Sequence, residues 1–116
     1  MSFGFKYGIP LDDDIIMDVR FLPNPYYISE LKPLSGKDKK VKDYVLSNKT
    51  AKVFLKKFFA MLEYVLPHYL AEGKSHLSIC IGCTGGQHRS VVIVEETANF
   101  LRQENYFCTV HHRDID

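Results

Sequence analysis

The chain has 116 residues, 46% of them hydrophobic, which is enough for one continuous core and too few for two domains of ordinary size. Its formal charge of +1 excludes neither nucleic acid nor anionic ligands, and no apolar run approaches the roughly 18 to 20 residues that a membrane span requires. Three cysteines leave at least one unpaired, and the start lacks a charged leader followed by an apolar segment. The expectation is therefore a soluble protein of a reducing, cytoplasmic compartment.

Phe3, Phe5 and Tyr7 alternate with smaller or polar residues and predict a short strand over 3–7, ahead of a turn around Gly8 and Pro10. Residues 15–21 predict a second strand. Side chains alternate there with period two, so Ile15, Met17, Val19 and Phe21 share one face, while Ile16, Asp18 and Arg20 share the other. Pro23-Asn24-Pro25 ends it, because proline lacks the ladder donor and fixes φ. After a loop over 31–36, a short helix is predicted over 39–46 and a longer one from about Thr50. In the longer one Ala51, Phe54, Leu55, Phe58, Leu62, Val65 and Tyr69 fall on one stripe, and Pro67 should kink or shorten its end. Gly73 closes that helix, and residues 76–81 form a β-prone run leading into Gly82-Cys83-Thr84-Gly85-Gly86. Val91, Val94, Ala98 and Leu101 then mark an amphipathic helix, and 106–111 predicts a last strand. This order implies a single α/β domain with a mostly parallel sheet covered by helices.

The chemistry concentrates in Cys83-Thr84-Gly85-Gly86-Gln87-His88-Arg89-Ser90. A strand that turns through glycines into a helix presents several backbone N–H groups to one point, where the helix dipole adds partial positive charge and a phosphate or sulfate is attracted. Arg89 adds a planar, two-pronged contact to phosphate oxygens, and His88 adds a donor when protonated or in the right tautomer. As a residue of the first turn facing a ligand, Arg89 is expected to contribute little to the core. Cys-x5-Arg-Ser is also the pattern of cysteine-dependent phosphatases, in which a thiolate attacks phosphorus while the arginine holds the oxygens. No separate general acid stands out, so a binding loop is preferred over that alternative, and over a plain tight turn.

Other groups carry weaker signals. Cys80 and Cys83 form a C-x-x-C, with Cys108, His111 and His112 further on, but residues three apart on a strand point to opposite faces, so no metal is expected. Asp18 and Arg20 either pair with each other or, lying at the end of a parallel strand, join the ligand site. Eight lysines between Lys37 and Lys57 stand against Asp38 and Asp43, and form either the wet side of helices or a surface for RNA or an acidic partner.

Several motifs in order resemble one family over essentially the whole chain: Ser2-Phe3-Gly4-Phe5-Lys6-Tyr7-Gly8, Asp18-Val19-Arg20-Phe21-Leu22-Pro23-Asn24-Pro25, the Cys83 to Ser90 loop with Ile81-Gly82 before it, and His112-Arg113-Asp114. They are similar to the C-terminal half of the RapZ/YvcJ family. The resemblance implies a cytoplasmic regulator of amino-sugar and cell-envelope metabolism. It implies a domain that senses glucosamine-6-phosphate, binds small RNAs, contacts a ribonuclease and self-associates. Carried onto this chain, the sugar-phosphate pocket draws on Asp18, Arg20, Cys83, Thr84, Gly85, Gly86, His88, Arg89 and Ser90, with no cofactor and no metal. Family members carry an N-terminal P-loop domain that binds ATP or GTP, but G-x-x-x-x-G-K-[ST] does not occur here, so this stretch reads as the ligand-binding domain of a longer protein. Two departures stand out: Tyr26 occupies the place of a histidine in enterobacterial members, and the Lys/Arg-rich tail that helps hold RNA does not follow Asp116.

Overall fold

Three short apolar runs form one sheet in the computed structural model, which describes residues 1–116. β1 (Ser2–Gly4) and β2 (Ile15–Asp18) flank β3 (Ile79–Cys83), in the order β1-β3-β2 with both pairings parallel. α1 (Lys39–Leu46) and α2 (Lys49–Ala71) lie between β2 and β3, and α3 (Arg89–Gln103) follows the glycine loop. The expected α/β class with a parallel sheet is what the chain adopts. β3 is covered on both faces, which is why Cys80, Ile81 and Cys83 sit in an unbroken apolar run and do not alternate with polar residues.

Local chemistry sets the helix starts. Asp38 accepts the Lys40 amide at 2.9 Å and Asn48 accepts the Ala51 amide at 3.2 Å, each satisfying a donor that the first turn leaves free. Ala51, Phe58, Leu62 and Leu66 of α2 then pack with Val41 and Val45 of α1 in the core beside Ile81. The first six residues of α3, Arg89 to Val94, are all buried, so this helix begins deep inside the molecule.

Four expectations need correction. The first strand leaves the sheet at Gly4 and tightens into a 3-10 turn (Phe5–Tyr7), in which the Gly8 amide donates to the Phe5 carbonyl at 3.1 Å and the Lys6 amide to Thr84 at 3.2 Å. The second strand stops at Asp18 because its carboxylate accepts the Arg20 amide at 2.9 Å, which bends the chain; Phe21 ends up on the surface against Phe54 instead of on the inner face. Pro67 does not end α2, which runs to Ala71 with the buried Leu66 beside it holding this end to the core. Residues 106–111 form no strand: Tyr106 N donates to Leu101 O at 2.9 Å and the Cys108 thiol to Ala98 O at 3.8 Å, both on α3, and the segment meets the sheet only at its end, where His111 O accepts the Ser2 amide at 2.9 Å. Only His112 bridges Ser2 at the sheet edge.

The segment after that bridge is tied down by polar groups. The Ser2 hydroxyl meets His112 Nδ1 at 2.7 Å, and His112 Nε2 reaches Glu95 at 3.0 Å. Asp114 accepts the Gly4 amide at 2.8 Å and Arg113 Nη2 at 2.8 Å, while Arg113 also donates to Gly8 O. Burial pushes the Asp114 carboxyl up, but the hydrogen bonds from Arg113 and the Gly4 amide, with the Arg113 charge, outweigh it and hold the group below its usual range. A carboxylate with a depressed folded pKa adds stability above its unfolded value of about 3.9, and loses it as pH falls through the folded value. Asp114→Asn should therefore lower stability by about 1 to 2 kcal/mol at neutral pH. The difference from the parent chain should shrink as the pH is lowered from neutral into the acid range, through the depressed folded value. Urea unfolding at neutral and acid pH checks this, and an undiminished difference in acid would refute it.

Candidate functional site

The parallel register puts the ends of all three strands side by side, with Gly4 opposite Cys83 and Asp18 opposite Gly82. Ligands of open α/β sheets bind beyond such carboxyl ends. Here the chain enters the loop 84–88, and Gly86 takes φ +81, a conformation that favours glycine. A Cβ on Gly86 would also lie 2.7 Å from the Gly4 amide nitrogen, and one on Gly4 would lie 2.5 Å from the Gly85 carbonyl carbon. The loop thus rests directly on the backbone of β1. None of the amides of residues 84–88 donates a hydrogen bond to another protein group.

A cleft of about 310 Å³ opens over this loop, lined by Lys6, Asn24, Tyr26, Tyr27, Cys83, Thr84, Gly85, Gln87, His88 and Arg89. Lys6 and Arg89 bring positive charge to it, and no carboxylate lines it. Arg89 is only 4% exposed. Its Nη1 donates to the Arg20 carbonyl at 2.6 Å and the Leu22 carbonyl at 3.2 Å, and its Nη2 makes a long contact of 3.4 Å to Thr84 Oγ1. Nε is buried and has no partner. The expectation that Arg89 contributes little to the fold is therefore corrected: one end of its guanidinium pins the chain after β2 to the start of α3. On the other edge Nη2 keeps only the long contact to Thr84, and Nε makes none.

His88 occupies the residue before α3 without a capping side-chain bond, and its Nε2 lies 3.2 Å from the Lys32 carbonyl. A carbonyl only accepts, so the proton sits on Nε2, and a second donor at Nδ1 exists only in the imidazolium. Cys83 is 2% exposed, and its thiol donates to the Ser90 hydroxyl at 3.2 Å. Ser90 and Gly86 belong to the loop motif but are buried and do not line the cleft.

Asp18 and Arg20 stand at the same strand end without lining the cleft. Arg20 grips the Asp18 carboxylate with Nε at 3.0 Å and Nη2 at 2.7 Å, and its guanidinium lies 3.9 Å from the Phe5 ring centre. The Arg20 hydrogen bond holds the Asp18 carboxyl below its usual range and pushes the guanidinium up. The sequence motifs thus converge in part: Cys83, Thr84, Gly85, His88 and Arg89 come together, while Asp18 and Arg20 pair beside them. Lys6, Asn24 and Tyr27 escape the sequence reading, and Gln87, named there within the loop, is given no role of its own. Lys6 lies two residues beyond the carboxyl end of β1, in the 3-10 turn, a position that by itself points to a ligand site once β1 is known to adjoin β3.

The remaining cysteines are quiet. Burial pushes the Cys80 thiol up to about 11, and nowhere in the chain do three metal-ligating side chains converge.

Comparison with known proteins follows the same lines. The sequence model of the family described as the RapZ C-terminal domain matches residues 1–116. The chain is 59% identical over 115 residues to a nucleotide-binding protein of Thermoanaerobacter sp. (strain X514), with 99% of this chain and 40% of the relative aligned. Nucleotide-binding proteins of Citrifermentans bemidjiense and Moorella thermoacetica are 57% and 54% identical, again over 99% of this chain and over 40% and 38% of their own lengths. The chain spans about two fifths of the length of these relatives. With the match covering the chain from end to end, it belongs to the RapZ C-terminal domain family.

Proposed function

We propose that this domain is a regulatory binding module, and not an enzyme, that takes a phosphorylated amino sugar of the glucosamine-6-phosphate type in the cleft over the loop 84–88. The observation that carries this reading is Arg89 Nε, a buried donor without a partner on a residue that lines the cleft. Such donors are rare in folded proteins, because losing water without gaining an acceptor costs about 1 to 3 kcal/mol. A phosphate oxygen on the Nε/Nη2 edge would satisfy it with two charge-assisted bonds. The free amides of residues 84–88 would take further oxygens, and Lys6 supplies the compensating charge. No helix of the chain is long and apolar enough to cross a membrane, and we take the ligand to be a cytoplasmic metabolite.

Wider roles belong to the same proposal. The relatives are named nucleotide-binding proteins. We assign ATP or GTP binding to the part of such proteins outside this domain, and RNA, ribonuclease contact and self-association to the whole regulator. RNA would use the exposed lysines of α1 and α2 that are outside ion pairs, Lys40, Lys49, Lys52, Lys56 and Lys57, since Lys39 and Lys42 are already paired with carboxylates.

One observation favours the rival reading as a cysteine-dependent phosphatase: the 3.2 Å contact between Cys83 and Ser90, which would steady a thiolate. Against it, Cys83 is 2% exposed as a residue, no carboxylate lines the cleft, and the His88 proton is given to the Lys32 carbonyl. Calorimetric titration with glucosamine-6-phosphate, run beside incubation with an aryl phosphate, tests the assignment. Saturable binding without turnover is expected. Absence of binding would remove the proposal, and turnover abolished by Cys83→Ser would move it to the phosphatase.

A further inference from the structure

The cleft has two kinds of wall. One is the glycine loop with its cations. The other is a pair of tyrosines on the short 3-10 turn (Pro25–Tyr27), which the phosphate chemistry leaves unused. That turn is built to be rigid. Asn24 accepts the Tyr26 amide at 3.1 Å, and Pro25 occupies the first position of the turn with its ring buried. Tyr26 and Tyr27 are thereby held 51% and 80% exposed, with ring centres 5.8 Å apart and planes at 86°. Lys32 places its ammonium 4.2 Å from the centre of the Tyr26 ring, so that ring already has a partner. The Tyr27 ring keeps most of its surface open at the mouth of a polar cleft.

We propose that Tyr27, steadied edge-on by Tyr26, is a specificity-determining residue that lays its ring against the face of a single sugar ring whose phosphate sits in the glycine loop. This rests on the reading of the cleft as a phosphate site. Three observations carry it beyond that reading. Aromatic surface held rigid beside an anion site offers stacking at low entropic cost, because the ring has few rotatable bonds to freeze. Gln87 and the Asn24 amide nitrogen, which makes no hydrogen bond, lie in the same lining and suit the hydroxyl groups of a sugar. The volume of about 310 Å³ lies at the lower end of the range for small-molecule sites, and fits one ring with its phosphate better than a sugar nucleotide.

The test compares the parent domain with Tyr27→Ala and Tyr27→Phe by calorimetry, using glucosamine-6-phosphate, inorganic phosphate and uridine monophosphate. Tyr27→Ala should weaken glucosamine-6-phosphate by about tenfold, leave inorganic phosphate unchanged and leave the melting temperature unchanged, and Tyr27→Phe should restore the parent affinity. Equal loss for both phosphates, or no loss for either, would overturn the role of Tyr27. Tighter binding of uridine monophosphate than of the sugar phosphate by the parent domain would overturn the choice of a sugar ring. Failure of the parent domain to bind any of the three phosphates is a separate result: it removes the site itself, and the wall with it.

Discussion

Gly4→Ala should lower the melting temperature by roughly 5 to 15 °C and abolish ligand binding. The new Cβ would lie 2.5 Å and 2.6 Å from the Gly85 carbonyl atoms and 2.9 Å from the Gly86 nitrogen. All three are backbone atoms, so no side-chain rotation relieves the clash. Either β1 or the glycine loop must move, yet β1 is held by its pairing with β3 and by the Asp114 carboxylate on the Gly4 amide. Overpacking of this kind costs about 1 to 3 kcal/mol, and each kcal/mol shifts the midpoint of a domain this size by about 4 to 8 °C. Gly85→Ala separates fold from site: its Cβ meets nothing within 4 Å. That variant should melt like the parent and still bind more weakly, because the methyl group would enter the space the ligand uses. Thermal melts with parallel titrations of both variants settle the point. A Gly4→Ala domain that melts and binds like the parent would show that the loop does not depend on this contact.

Arg89→Ala should be costly in a different way. It removes the donors to the Arg20 and Leu22 carbonyls, 69 and 67 residues away in sequence, and empties a nearly fully buried position. Loss of these charge-assisted bonds, with the carbonyls left in a buried setting, predicts about 2 to 4 kcal/mol of destabilisation. Arg89→Lys keeps a charge but not the planar fork, so one ammonium must serve both the carbonyls and the ligand. It should fold with a smaller penalty and bind sugar phosphate more weakly by about 1 to 3 kcal/mol. Denaturant unfolding gives the first quantity and calorimetry of the folded Arg89→Lys domain gives the second. Unchanged stability in Arg89→Ala would mean that the carbonyl contacts are incidental.

Much of the architecture is written in local patterns. The apolar run before Gly82, the glycines and the helical spacing after Arg89 together specify β3, the loop and α3, because each depends only on neighbouring residues. The stripe from Ala51 to Leu66 does the same for α2. What local pattern cannot show is which side of a motif faces a ligand. Cys83 to Ser90 is one continuous motif, yet Gly86 packs on Gly4 and Ser90 on Cys83, while Thr84, Gly85 and His88 line the cleft. Lys6 and Tyr27 enter the site through strand order and through the anchoring of the segment after β2 by Arg89, both long-range events. The last predicted strand failed for a related reason. Residues 106–111 are β-prone in composition, but the turn at Asn105, with φ 66, returns the chain to α3 before it reaches the sheet edge.

In the proposed site a phosphate is held by backbone amides of the loop 84–88 together with Lys6 and Arg89 Nε. Amide chemical shifts of the isotopically labelled domain, followed while glucosamine-6-phosphate is titrated in, address those atoms directly. The largest shifts are expected on Thr84, Gly85, Gln87 and His88, which line the cleft, with the Arg89 Nε resonance moving in step. Shifts confined to other surfaces, such as the apolar groove between Leu77, Leu101 and Cys108 at the other end of β3, would contradict it.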